Sequence, residues 1–304
     1  MRPWTSIVKA GAREASSDAL SLLLALGAAA TILLASFFHI HQFGEPARMA
    51  RDASVSAILV FGFAYAAFGT VKAMRREAES GTLQMALSRP LSRTAYFFSR
   101  LAGMAVSYTG FAVVVSLAGF TMVLGAECGA LAAAPRGDVP RVWGPALAAV
   151  SAVAVLPLAA AAALDRFFSF RFALSAARLQ VAVAVLAALA AAALSVRAGF
   201  GTGPLESAAK FLPAALLAAM PGYVFAAAAA AFSVRLGDNA ACASSALLFA
   251  LSLPLLGAYC LSPALSKGGS IPGPYIALAA AAAVSAFAAF AFAGVALFSG
   301  KDVS

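Results

Sequence analysis

The stretch MRREAESGTLQMALSRPLSRTAYFFSR, residues 74–100, decides how this chain is read. It is the longest charged segment in a sequence that is otherwise mostly hydrocarbon. It holds Glu77 and Glu79 and five arginines, at 75, 76, 89, 93 and 100. Apolar runs long enough to span a bilayer flank it on both sides. A charged island between two such runs belongs at a membrane surface, where its charges stay hydrated while the runs dissolve in lipid.

Composition agrees. Of 304 residues, 63% are hydrophobic and 11% are charged, against roughly 25% charged in an ordinary soluble domain. Mean hydropathy is +0.92. A soluble fold must present a polar exterior that this chain cannot supply. The net charge of +9 is spread along the chain and forms no basic stripe with interleaved aromatics. It therefore reads as a topology signal, and no nucleic-acid partner is expected. Cys128, Cys242 and Cys260 form no C-x-x-C pair and are expected to be buried as small hydrophobes.

Scanning for about 20 predominantly apolar residues yields candidate spans at 19–38, 53–72, 97–124, 143–164, 174–196, 211–233, 240–262 and 275–298. Pro157, Pro213, Pro221 and Pro254 fall inside spans and are expected to kink or break them. Residues 1–18 place Trp4, Ile7, Val8 and Ala15 on one side at helical spacing, which predicts an interfacial amphipathic helix. Acidic Glu14 and Asp18 and the 20-residue run after them argue against a cleaved leader. The expected fold is an all-α polytopic membrane protein. It is a bundle of eight transmembrane helices in one domain, 19–304, with a cytoplasmic loop at 74–96. The alternative is six spans plus a re-entrant hairpin at 211–262, entered from outside. With the N-terminus inside, fourteen of the 21 Lys and Arg residues fall on the cytoplasmic side, so both termini are expected there.

No phosphate loop G-x-x-x-x-G-K-[ST], no H-E-x-x-H and no nucleophile elbow occurs, so no catalytic residue is assigned. His39 and His41, with Met49 nearby, are a weak metal candidate; a pair of interfacial rings is the commoner explanation. Carboxylates are scarce within the candidate spans, which argues against an ion-coupled carrier. Gln180, Tyr65, Tyr108, Tyr223 and Tyr259 remain available to a polar substrate. In the charged stretch, Gly81 and Pro90 bracket a short amphipathic segment that Ser80 or Thr82 could cap. Such a helix could enter a groove on a partner, with arginines at its rim, or its charges could merely hold topology.

The pattern E-x-E-S-G-T-L-x-x-x-L-S-x-P-L-S-R is similar to the segment between the second and third spans of type-2 exporter permeases of the ATP-binding-cassette superfamily. The matching residues are Glu77, Glu79, Gly81, Thr82, Leu83, Leu87, Pro90, Ser92 and Arg93, with Arg89 beside them. The motif covers under a tenth of the chain, and eight spans would depart from the family's usual six. The resemblance implies that 77–93 is a coupling helix seated in a groove of a separate ATPase subunit. ATP and Mg would be held by that ATPase, and this chain would bind no cofactor. Two ATPases and a second permease copy would complete the unit, set among membrane lipid in a bacterial inner membrane. A softer match, Phe232-Ser233-Val234-Arg235, looks like the family's second cytoplasmic loop, with Ser233 and Arg235 as contacts; residues 166–176 could serve instead. The competing readings are an ATPase-independent scaffold, an ion-coupled carrier and an intramembrane enzyme.

Overall fold

The structure, a computed structural model, describes residues 3–37, 45–79, 92–136, 140–168, 172–260 and 271–299. Its elements are α1 (Pro3–Ser16), α2 (Ala19–Ala35), α3 (Pro46–Glu79), α4 (Arg93–Ala133), α5 (Gly144–Phe168), α6 (Phe172–Arg197), α7 (Gly203–Ala209), α8 (Phe211–Arg235), α9 (Asp238–Cys260) and α10 (Gly273–Ser299). A single 3-10 turn, Ala134–Arg136, follows α4. The chain is an all-α polytopic membrane protein, and each expected apolar run lies on a helix. Among the described residues, six helical segments meet the length and hydropathy of a span. The pair α1 and α2, bent by 59°, would make a seventh, and the apolar segment Asp238–Leu253 of α9 is shorter.

Several boundaries differ from the sequence reading. Helix α3 starts seven residues before the apolar run at 53 and continues through 74–79, so the charged loop is shorter than 74–96. Helix α4 runs on to Ala133, so most of the expected outer loop at 125–142 is helical. The cause is that Ala, Arg, Glu and Met are strong helix formers whether or not they are apolar. Helix α3 has 34 residues and α4 has 41. At about 1.5 Å per residue they form rods of about 51 and 62 Å, against a hydrocarbon core about 30 Å thick. Both therefore project beyond the membrane.

Helix α8 runs unbroken through Pro213 and Pro221. Pro213 falls in its first turn, where a missing N–H costs nothing. Ser207, just before α8, bonds Glu127 near the far end of α4, and Asp238, just after it, pairs with Arg75 near the end of α3. Helix α8 therefore crosses the bundle from one end to the other. The unbroken helix differs from the broken segment expected from Pro213, Pro221 and Gly222.

The core is built on small residues. Helix α8 packs against α3, α10, α9 and α4, and Ala226 to Ala231 are all buried. Methyl groups let backbones approach closely, which gives van der Waals contact where lipid removes the hydrophobic drive. At Gly222 a Cβ would collide with the Tyr108 hydroxyl, so only glycine admits that ring. Tyr108 Oη donates to the Ala219 carbonyl at 2.8 Å, and its ring meets Tyr223 edge-on at 4.8 Å. Large side chains on α5, α6 and α10, such as Val155, Leu189 and Leu278, point outward, as lipid contact allows.

Candidate functional site: the charged end of the bundle

Three ion pairs gather the elements that flank residues 80–91. At the elbow between α1 and α2, Asp18 receives Lys72 of α3, with Nζ at 2.7 and 2.8 Å from its two oxygens. One α1 turn earlier, Glu14 Oε2 accepts from Arg100 Nη2 of α4 at 2.7 Å. Arg75, near the end of α3, holds Asp238 at the start of α9 at 2.8 Å. These pairs are unequal. Arg100 is a buried side chain, 5% exposed, covered by α1. Removing one member of a buried pair leaves a charge in low dielectric and costs about 3–5 kcal/mol. The Arg75–Asp238 pair is exposed on both sides, where such pairs contribute about 0–1 kcal/mol.

Backbone contact reinforces the buried tie. Helix α1 lies along α4 with Gly11 facing Gly103. A Cβ on Gly103 would meet the Val8 carbonyl at 2.9 Å and Gly11 Cα at 3.1 Å. The face of α1 that docks is thus Val8, Gly11 and Ala15, while Trp4 stays half-exposed. The two helices that carry residues 80–91 are therefore each fastened to the N-terminal elbow, α3 by Lys72 and α4 by Arg100.

Ser92 is the N-cap of α4. Its Oγ accepts from the Ala95 N–H at 3.2 Å, as an extended residue before a helix should. Arg93 opens the helix and is exposed. The backbone of Glu77 and Glu79 completes the last turn of α3. Their side chains, together with Gly81, Thr82, Leu83, Leu87, Arg89 and Pro90, lie outside the described residues, as do His39 and His41. Ser233 bonds back to the Ala230 carbonyl at 2.8 Å, and Arg235 ends α8. The turn that follows reaches Asp238 and hence Arg75. The structure therefore brings 232–238 to the end of the charged stretch. An open groove of about 920 Å³ lies there, lined by Lys72, Arg75, Arg76, Asp238 and Asn239.

The opposite end holds a cluster that sequence reasoning missed. Glu127 Oε1 accepts from Arg51 Nη2 at 2.5 Å and from Ser207 Oγ at 2.7 Å, joining α3, α4 and α7. Arg51 also donates to Ser207 Oγ at 3.1 Å. Glu127 and Arg51 stand 76 positions apart, and no local pattern announces their pairing. Of the polar residues flagged within spans, Tyr108 and Tyr223 serve packing, with Thr109 Oγ1 and Tyr223 Oη 2.8 Å apart. Tyr65 bonds Ser107 at 2.6 Å. Gln180 is buried, and its Nε2 has no partner among the described residues.

Compared with protein-family models, curated proteins and solved structures, the chain matches none. The class rests on the fold: an all-α, multi-pass membrane protein whose charged end is tied together by ion pairs.

Proposed function

We propose that this chain is the membrane-spanning permease subunit of an ATP-driven exporter of the type-2 ATP-binding-cassette kind, set in a bacterial inner membrane with its charged end toward the cytoplasm. The observation that carries the reading is the fastening of both flanking helices to one elbow. A push on residues 77–93 is delivered by α3 through Lys72 to Asp18, and by α4 through Arg100 to Glu14. The N-terminal elbow then moves with the helices on either side of the loop. The chain carries no phosphate loop, so the energy source is a separate ATPase, which holds ATP and Mg. Two ATPases and a second permease copy complete the working unit. Rocking of rigid helix groups about a central path is alternating access.

Within this reading, Glu77, Glu79, Gly81, Thr82, Leu83, Leu87, Arg89, Pro90, Ser92 and Arg93 form the ATPase contact. The turn at Ser233 and Arg235 forms the second contact, a choice supported by the Arg75–Asp238 pair, which joins that turn to the end of α3. The test is co-expression with a candidate ATPase subunit, sought first among the products of neighbouring genes. A stable complex whose ATP hydrolysis requires this chain is the expected result. Glu79→Arg combined with Gly81→Pro should abolish coupled hydrolysis; full coupling in that variant would refute the assignment, and absence of any ATPase complex would favour a scaffold.

A further inference from the structure

A cavity of about 210 Å³ opens between α1, α2, α4 and α6, at the level of the charged end. Its polar wall consists of donors. Arg13 and Arg178 line it, both exposed, and among the described residues neither lies within ion-pairing distance of a carboxylate. Gln180 lines it with 4% exposure, and its Nε2 is without a partner among the described residues. Tyr65, Ser107 and Ser16 form a hydroxyl chain, with contacts of 2.6 and 2.9 Å. No Asp or Glu lines this cavity; Glu14 and Asp18 line the neighbouring one and are already paired with Arg100 and Lys72.

An unmatched buried amide beside two guanidiniums at the same cavity fits an oxyanion. The other wall restricts its kind. Val106, 56% exposed, with half-buried Leu174 and Val181, gives the cavity an accessible hydrocarbon wall, backed by the buried Leu22, Phe111 and Val114. We propose that this cavity is a binding site for an anionic phospholipid. The phosphodiester sits between Arg13 and Arg178 with Gln180 Nε2 donating to it, and an acyl chain lies along Val106 and Val181. A free phosphate could satisfy the donors and would leave the apolar wall uncovered. The site does not rest on the exporter reading, because its residues are separate from the ATPase contact.

The experiment is native mass spectrometry of the full chain in a neutral detergent. The probes are phosphatidylglycerol, chain-matched phosphatidylcholine, chain-matched diacylglycerol and inorganic phosphate. Phosphatidylglycerol adducts should survive at about tenfold lower lipid concentration than phosphatidylcholine adducts, and diacylglycerol should not be retained. Arg13→Gln with Arg178→Gln should erase the difference. Gln180→Leu, near in size and free of the unmatched amide, should weaken phosphatidylglycerol retention by about threefold to tenfold while leaving the protein monodisperse. Unchanged preference in both variants overturns the site. Displacement of phosphatidylglycerol by millimolar inorganic phosphate overturns the lipid and leaves a phosphate site.

Discussion

The Glu14–Arg100 pair makes an asymmetric prediction. Glu14→Gln removes the carboxylate from a guanidinium that is 5% exposed, whereas Arg100→Met leaves behind a carboxylate that is 27% exposed. The charge that stays deeper in low dielectric costs more. With charge centres about 4 Å apart and an effective dielectric near 20, the attraction is roughly 4 kcal/mol. Water reaching Glu14 discounts that figure. We expect Glu14→Gln to cost about 2–3 kcal/mol and Arg100→Met about 1 kcal/mol, below the range for fully buried pairs because water screens Glu14. The double variant should lie close to Arg100→Met alone, because the guanidinium that Glu14→Gln deprives of its carboxylate is then absent. The assay is unfolding in mixed micelles, followed by Trp4 fluorescence in a Trp143→Phe background. Trp4 and Trp143 are the chain's two tryptophans, so the signal then reports release of α1. If Glu14→Gln costs no more than Arg100→Met, or if the double variant is as unstable as the sum of the singles, the tie described between α1 and α4 does not hold.

Other expectations follow from the same contacts. Glu127→Gln should destabilise the fold by about 2–4 kcal/mol, since it strips the carboxylate from Arg51, whose side chain is 11% exposed; equilibrium unfolding measures it, and Arg51→Met with Glu127→Leu should recover most of the loss. Gly222→Ala should cost about 1–3 kcal/mol by overpacking, and Tyr108→Leu should relieve part of it by removing the ring that the new methyl meets; thermal melts of the four variants decide this. Asp238→Asn should change stability by less than about 1 kcal/mol, and that small effect should vanish in high salt, because the Arg75 pair is solvent-exposed on both sides. Cysteines introduced at Ser92 and Gly237 should react with an impermeant thiol reagent from the same side of the membrane, and one at Thr202 from the other; labelling of 237 together with 202 would return α8 to a re-entrant course.

The helices were legible because lipid demands length and hydrocarbon, and both are visible in one dimension. Their ends were not. A hydropathy scan stops where charges begin, yet Arg75, Arg76 and Glu79 continue α3 because their backbone propensity is high. The prolines misled for a related reason. Pro157 sits in an unbroken α5 and Pro221 in an unbroken α8, where neighbouring helices hold the course of the chain. The charged stretch was legible as an island, and Arg100 as its last member. That Arg100 turns inward under α1 depends on Gly11 and Gly103 meeting, a contact between residues 92 positions apart that no local pattern carries. Gln180 stood out as a polar residue in a span; its unmatched amide emerged only once its neighbours were placed.

The alanine run of α8 has a mechanical meaning. Ala226 to Ala231 offer α3, α10 and their neighbours six identical methyls in succession. An alanine has no rotamer to re-sort and no tip to lock into a notch. A slide of one residue, about 1.5 Å along the axis, or a turn of the helix about itself, presents the same smooth contour to the same neighbours. Interdigitated leucines would have to climb over one another to make that motion. The run thus gives this part of α8 a smooth contour, bounded by Phe225 and Phe232, whose rings pack edge-on against Phe63 and Phe290.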